Sequence, residues 1–338
     1  EEGGQVGIYD GTNSNVARRR MLAGMCHGKC KVIFLETICN NKELIELNIK
    51  EKVMYSEDYA GMDPEAAKAD FMTRIERYME GYETLGNRVD ANRYPGGEGT
   101  YIKMIDTASG SGHMQVNKIQ GYLQGRIVSF LLNISYTRRR LYFCRHGESL
   151  DNVRGVLGGD GSLSENGKLF ARNLAMYMDS LPKKPSSVWV SSLKRTNETA
   201  CHLRMKHVSW RLLDELYAGN CDGMTYQQIK EQMPEEYRLR QKNKREYRYP
   251  RGESYEDVIQ RLESIIMELE RSTEPILVIG HQAVVRCLYA YFMDKPQHEI
   301  PYVEIPLHQV ICLEPSTYGT LEQRIDIGPK VCRQLPPP

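Results

Sequence analysis

The 338-residue sequence lacks any apolar run near the ~20 residues that a membrane helix needs; its longest, such as Ile276-Leu277-Val278-Ile279, have the length of a strand. No helical membrane span is expected. It has no CxxC pair, and its nine cysteines are odd in number and scattered. That argues against a disulfide framework or a metal site and fits a reducing, cytoplasmic setting. Charge excess is missing too: 45 Lys+Arg stand against 44 Asp+Glu, so affinity for nucleic acid or anionic lipid would have to come from a local patch. Neither partner is expected, and no internal repeat is visible. What is present is ordinary globular composition, 41% hydrophobic and 26% charged, in a chain too long for one ordinary core and long enough for two. The chain opens Glu1-Glu2-Gly3-Gly4, without methionine and close to its first strand signal, as expected of a fragment that starts inside a domain.

Val6-Gly7-Ile8-Tyr9 reads as a short strand ending at Asp10, residues 15–28 as a helix and 31–36 as a stronger strand. Residues 41–82 read as helices broken near Gly61-Met62-Asp63-Pro64, and 94–99 carry loop chemistry. A strand is expected over 101–105 and a further apolar run covers 127–134. Strands alternating with helices imply a parallel α/β sheet. The polar and basic Ser135-Tyr136-Thr137-Arg138-Arg139-Arg140 places a domain boundary after residue 138. A second α/β pattern follows, with strands over 141–144, 187–190 and 276–279 and helices over 168–180, 196–205 and 255–271. Residues 320–338, which close on Pro336-Pro337-Pro338, read as an irregular tail.

In parallel sheets ligands bind beyond the carboxyl ends of the strands. Three apolar runs end in chemically rich residues: Arg145-His146 after the first, Ser191-Ser192-Leu193-Lys194-Arg195 after the second, Gly280-His281-Gln282 after the third. Two imidazoles and two guanidiniums would converge. Such a group fits phosphoryl transfer without a metal: a neutral imidazole attacks phosphorus, and arginine forks bind the non-bridging oxygens. Gly147 would let the backbone approach the phosphate and could offer its carbonyl to one ring nitrogen of His146, leaving the other a bare nucleophile. The leaving oxygen needs a proton from a carboxyl group whose pKa is raised, and Glu215 in Asp214-Glu215 is the candidate.

Each feature alone has a plainer reading. A single histidine at a strand end is more often structural, and Asp214-Glu215 by itself is more often a solvated turn. Only the combination favours chemistry. The basic run over residues 238–251, interleaved with Tyr247 and Tyr249, reads first as a solvated helix face and loop, second as a nucleic-acid surface, third as an anion-binding lid for another phosphate.

Arg145-His146-Gly147-Glu148-Ser149 with Asn152, Arg195, Glu215 and Gly280-His281-Gln282 resembles the histidine phosphatase superfamily, which includes the phosphoglycerate mutases. The segments GGDGSLSENGK, YAGNCDGMTYQQI, YRYPRGESYEDVIQRLE and GHQAVVRCLYAYF narrow the likeness to the bisphosphatase half of the bifunctional 6-phosphofructo-2-kinase/fructose-2,6-bisphosphatases. The resemblance implies a mainly parallel, phosphoglycerate-mutase-like α/β domain over 139–319. It implies His146 as the phosphorylated nucleophile, Glu215 as the acid, and Arg145, Asn152, Arg195 and His281 as holders of the phosphoryl group. Tyr226, Arg240, Lys244, Tyr255, Gln282 and Arg286 would bind the sugar and its 6-phosphate. The reaction implied is hydrolysis of fructose 2,6-bisphosphate to fructose 6-phosphate through a phosphohistidine, with no cofactor. A phosphoglycerate mutase and a non-catalytic sugar-phosphate binder are the alternatives; the segment REYRYPRGESYED favours the bisphosphatase.

Residues 1–138 resemble the later part of the kinase half, through YDGTNSNVARRR, LETICNN, YIKMID and GRIVSFLLNI. Asp10, Thr12, Lys103 and Arg126 would be the remnant of that site. A P-loop, GxxxxGK[ST] between strand and helix, is missing. The nearest match, Gly24-Met25-Cys26-His27-Gly28-Lys29-Cys30, is one residue short between its glycines and precedes a strand, so a helix-to-strand turn is expected there. ATP and magnesium would serve only an intact kinase domain, so the reading is of a truncated domain without kinase activity. Its sheet edge would favour association into a homo-oligomer.

Overall fold

Asn15, Asn41 and Asp63 each accept a backbone N–H from the turn that follows, and a helix starts at each: α1 (Val16–Cys26), α2 (Lys42–Tyr55) and α3 (Pro64–Glu80), with β1 (Ile33–Ile38) between the first two. The chain then forms β2 (Thr100–Ile105), β3 (His113–Asn117) and α4 (Tyr122–Asn133). These elements belong to a computed structural model that describes residues 6–86, 99–107, 112–134, 138–316 and 319–328. The described residues divide into two units, Glu1–Leu132 and Asn133–Pro338.

In the first unit β1 pairs parallel with β2, and β2 pairs antiparallel with β3, so the sheet is mixed. The expected strand at Val6-Gly7-Ile8-Tyr9 is not formed. These residues pair with no strand among those described, and Ile8 is 94% exposed; an apolar run becomes a strand only where a neighbour takes up its hydrogen bonds. Residues 26–30 do close α1 and turn toward β1, with Gly28 at φ 73°. The apolar run over 127–134 falls largely in α4. Most of the loop expected over 94–99 and the polar stretch at 135–137 lie outside the described residues.

The second unit contains β4 (Leu141–Arg145), α5 (Leu150–Arg154), α6 (Glu165–Ser180), β5 (Ser187–Val190), α7 (Lys194–Ala200), β6 (Lys206–Ser209), α8 (Tyr226–Gln232), α9 (Pro234–Lys242), α10 (Tyr255–Arg271), β7 (Ile276–Gly280), α11 (Gln282–Phe292), β8 (Gln309–Ser316) and β9 (Gly319–Asp326). Six strands join in the order β6-β5-β7-β4-β8-β9; the first four are parallel and β8 and β9 antiparallel. Residues 320–326, expected to be irregular, are therefore an edge strand, recruited by pairing with β8 although much of their surface is exposed. Residues 329–338 lie outside the described set. The helix expected over 196–205 stops at Ala200 and is followed by β6, whose Lys206-His207-Val208-Ser209 is too polar to announce an edge strand.

Successive side chains of a strand point to opposite faces, and here both faces are covered. Leu141, Phe143, Ile276 and Val278 pack against Leu262, Ile265 and Leu269 of α10 and Val284 and Leu288 of α11. Tyr142, Cys144, Leu277 and Ile279 pack against Phe170, Leu174 and Met178 of α6. This is why the strands read as unbroken apolar runs. Register then sets the site: Cys144 and Val190 both lie beside Ile279, and Arg145 lies beside Gly280. The residues that follow these three positions must emerge along one edge of the sheet.

Candidate active site

Along that edge a cavity of about 570 Å³ is lined by Arg145, His146, Asn152, Arg195, Glu215, Tyr226, Arg240, Lys244, Tyr255, Gln282 and Arg286, among others. Eleven of the twelve phosphatase-site residues expected from the sequence therefore share one cavity wall. The twelfth, His281, does not line it.

His146 is 3% exposed, and its backbone N–H extends the β4–β7 ladder by donating to Gly280 O at 2.9 Å. Its Nδ1 lies 2.6 Å from Gly147 O. A carbonyl only accepts, so Nδ1 carries the hydrogen and Nε2 is left as the bare, basic nitrogen. Burial, then the Arg195 and Arg145 charges, pushes the His146 pKa down to about 3, so the ring is neutral throughout the physiological range.

His281 is fully buried behind it, the ring centres 5.1 Å apart. Arg195 Nε donates to His281 Nδ1 at 3.2 Å, so the remaining proton sits on Nε2 and is given to Ser191 Oγ at 2.8 Å. Both nitrogens are thus occupied. Burial first, then the neighbouring His146, Arg195 and Arg145, holds His281 well below its ordinary pKa. With both ring nitrogens engaged, the ring braces Arg195.

The two guanidiniums are short of partners. Arg195 Nη1 donates to Gly159 O at 2.7 Å, and its Nη2 finds no hydrogen-bond partner among the described residues. Arg145 Nη1 donates to Ile305 O at 3.2 Å, while its buried Nε has no partner. Among the described residues neither arginine is hydrogen-bonded to a carboxylate. Asn152, which lines the cavity, closes a capping box with Ser149, and its Oδ1 accepts from Ser149 N and Oγ, which leaves the Nδ2 donors unspent in that box.

Gly147 also answers a packing requirement. A Cβ there would stand 2.6 Å from Gly167 O, and one on Gly167 would stand 2.2 Å from Glu148 O. The two glycines let α6 cross the backbone behind the nucleophile. Thr199 ties the same turn to α7, accepting from Gly147 N at 2.9 Å and donating to Arg195 O at 2.7 Å.

Glu215 caps α11. Its Oε2 accepts from Gln282 N at 3.0 Å, and its Oε1 accepts from Ala283 N at 3.2 Å and Leu216 N at 2.9 Å. A carboxylate offers about four acceptor positions, so the one left open is on Oε2. That is the oxygen able to carry a proton toward the cavity.

The remaining cations gather on other wall elements. Arg240, from the last turn of α9, donates to Tyr249 Oη at 2.7 Å and Tyr226 Oη at 3.0 Å. Arg286 donates to Val303 O at 2.7 Å and Tyr255 Oη at 3.1 Å, and Lys244 donates to Pro301 O at 2.9 Å. Burial, then Arg286 and Arg240, pushes the Lys244 pKa down to about 8, and burial pushes Tyr255 up to about 12. The Tyr255 phenol therefore stays neutral and does not cancel the Arg286 charge. The three readings of the basic run now separate: Arg240 and Lys244 line the cavity, whereas Arg238, Arg245 and Arg248 pair with Glu235, Glu256 and Asp257.

In the first unit Asp10 and Thr12 are on exposed chain, and Arg126 is exposed on α4 with its guanidinium over the Tyr122 ring. Lys103 is buried in β2, bonded to Thr84 Oγ1 and Leu85 O, with Glu36 at 3.6 Å.

Comparison with known proteins agrees with this division. Residues 1–138 match the model of the 6-phosphofructo-2-kinase family, and residues 141–327 match that of the histidine phosphatase superfamily, branch 1. An Arabidopsis thaliana 6-phosphofructo-2-kinase/fructose-2,6-bisphosphatase is 53% identical over 96% of the chain, which spans 43% of that relative. A fructose-2,6-bisphosphatase of Saccharomyces cerevisiae is 44% identical over 96% of the chain, which spans 70% of it. The solved α-ribazole phosphatase of Shigella flexneri superposes with a TM-score of 0.51 at 22% identity, covering 55% of this chain and 96% of its own. That likeness establishes the phosphoglycerate-mutase-like fold of the second unit.

Proposed function

Since the chain belongs to the 6-phosphofructo-2-kinase/fructose-2,6-bisphosphatase family, we propose that it hydrolyses fructose 2,6-bisphosphate to fructose 6-phosphate and inorganic phosphate through a phosphohistidine on His146. The supporting observation is one cavity that holds a bare imidazole nitrogen and two sets of cations, none hydrogen-bonded to a carboxylate among the described residues. A substrate with two phosphates matches two cation sets.

In this reading the 2-phosphate lies against Arg145, Arg195 and Asn152. His146 Nε2 attacks phosphorus, the bond from phosphorus to the sugar oxygen breaks, and that oxygen takes the proton from Glu215 Oε2. Water then attacks the phosphohistidine and passes a proton to the Glu215 carboxylate. The N–P bond breaks, phosphate leaves, and both side chains return to their starting states. The guanidiniums supply the charge stabilisation that a metal would otherwise give. His281 positions Arg195. Arg240, Lys244 and Arg286 take the 6-phosphate, with Tyr226, Tyr255 and Gln282 along the sugar. We assign no nucleotide chemistry to residues 1–138, because the 338 residues contain no GxxxxGK[ST].

The reading is tested by incubation with fructose 2,6-bisphosphate and, separately, with 3-phosphoglycerate. Phosphate release from the first and no mutase product from the second are expected; the reverse would replace the bisphosphatase by a mutase.

Lys244 gives a pH signature. A phosphate binds the protonated amine, and with the free-enzyme pKa near 8 the amine is mostly charged at pH 7 and mostly neutral at pH 9. Affinity for fructose 6-phosphate is therefore expected to fall as pH rises through about 8. Calorimetric titration at several pH values measures this. In Lys244→Met the dependence over that interval should flatten, and an unchanged slope would assign it to another group.

A further inference from the structure

The acid loop is held by an ion pair that the proposed chemistry does not itself use. Arg261 lies on the second turn of α10, beside the fully buried Val258, Leu262 and Ile265. Its Nε donates to Glu253 Oε1 at 2.9 Å, its Nη2 to Asp214 O at 2.6 Å, and its Nη1 to Leu212 O. Glu253 Oε2 accepts from Tyr217 N at 2.9 Å, and Glu253 N donates to Tyr217 O at 2.9 Å. Leu212 and Asp214 before Glu215, and Tyr217 after it, are thus bound to one charged pair. Asp214 adds a further anchor, its carboxylate accepting from Ser192 N at 2.7 Å and Ser192 Oγ at 2.8 Å.

We infer that Arg261 and Glu253 are positioning residues for the proton donor, fixing the backbone on both sides of Glu215 so that Oε2 keeps its open position toward the leaving oxygen; this rests on the phosphatase reading above. The bonds reach residues 212, 214 and 217 and leave the Glu215 carboxylate to α11. Acid and helix terminus therefore stay in register only while the loop is clamped. A displacement of about 1 Å at such a group costs on the order of a hundredfold in rate.

The test compares leaving groups. Sugar alkoxide cannot depart without a proton, whereas p-nitrophenolate can. Arg261→Met is expected to slow phosphoenzyme formation from fructose 2,6-bisphosphate about ten- to hundredfold, while the nitrophenolate burst from p-nitrophenyl phosphate stays within about threefold of wild type. In a Glu215→Gln background the same substitution should add no further loss. Glu253→Gln keeps the shape and removes the charge, and should give the same leaving-group signature should Arg261→Met fail to fold. Equal losses on both substrates, or full additivity with Glu215→Gln, would overturn the clamp and place Arg261's effect on the phosphoryl-binding groups. A wild-type protein that releases nitrophenolate but no phosphate from the bisphosphate would overturn the underlying reading, and the clamp with it.

Discussion

Replacing His146 by alanine is expected to abolish both turnover and the appearance of acid-labile phosphate on the protein. The loss should be at least on the order of a thousandfold, because no other nucleophile is poised to substitute. Ser149 Oγ is engaged in the capping box with Asn152, and both nitrogens of His281 are occupied by Arg195 and Ser191. The fold should survive: the His146 backbone N–H that extends the sheet ladder is retained in the variant. Quenching a reaction with labelled fructose 2,6-bisphosphate in alkali and counting the protein-bound label makes the measurement. Retained labelling would move the nucleophile to another residue.

Glu215→Gln carries the second large effect. The amide has no acidic proton, so formation of the phosphoenzyme should slow by about 10²–10⁴-fold with substrate binding preserved. There is also a structural cost that a simple isostere argument overlooks. Glu215 receives three backbone N–H groups on two oxygens, and glutamine has only one oxygen to offer. Its NH2 must face Gln282 N or the pair Ala283 N and Leu216 N, which leaves at least one helix-terminal donor unpaired, worth about 1–3 kcal/mol. A lower melting temperature is expected with the lower rate. Rapid-quench measurement well below that temperature separates the two, and an unchanged rate of phosphoenzyme formation would reject Glu215 as the acid.

Much of the site was legible because strand ends are legible. The apolar runs at 141–144, 187–190 and 276–279 announced buried parallel strands, and shared register brought the residues after them together. Even the tautomer of His146 could be anticipated, since a glycine carbonyl one residue away is a local feature. Long-range relations could not be read in this way. Gly147 was read as freedom for a phosphate, and its further demand, close approach to Gly167 twenty residues on, was not visible. His281 was read as a holder of the phosphoryl group, and its bonds to Ser191 on one nitrogen and Arg195 on the other could not be read from the sequence. Ser191 and Thr199 had weak signals of their own, the first as a strand-end hydroxyl and the second one helical turn beyond Arg195. Arg261 and Glu253 had none, since each looks like a surface charge until the loop they bind is known. β9 was missed because an edge strand with polar sides has no apolar alternation to betray it, only the partner that recruits it.

The two ends of the cavity rest on ground of unequal firmness. His146 grows out of β4, a middle strand bonded on both sides, with the carbonyl before His281 as its own backbone partner. Arg240 sits on α9, nine residues long with none of them buried, and Lys244 just beyond it. Amides near the nucleophile should therefore exchange with solvent only when the whole unit opens, while those of α9 exchange through cheap local excursions. A ligand gripping both ends has nothing to gain in order at the first and much at the second. Adaptation to substrate is thus a property of the sugar-phosphate end, and the reacting end is a fixed anvil.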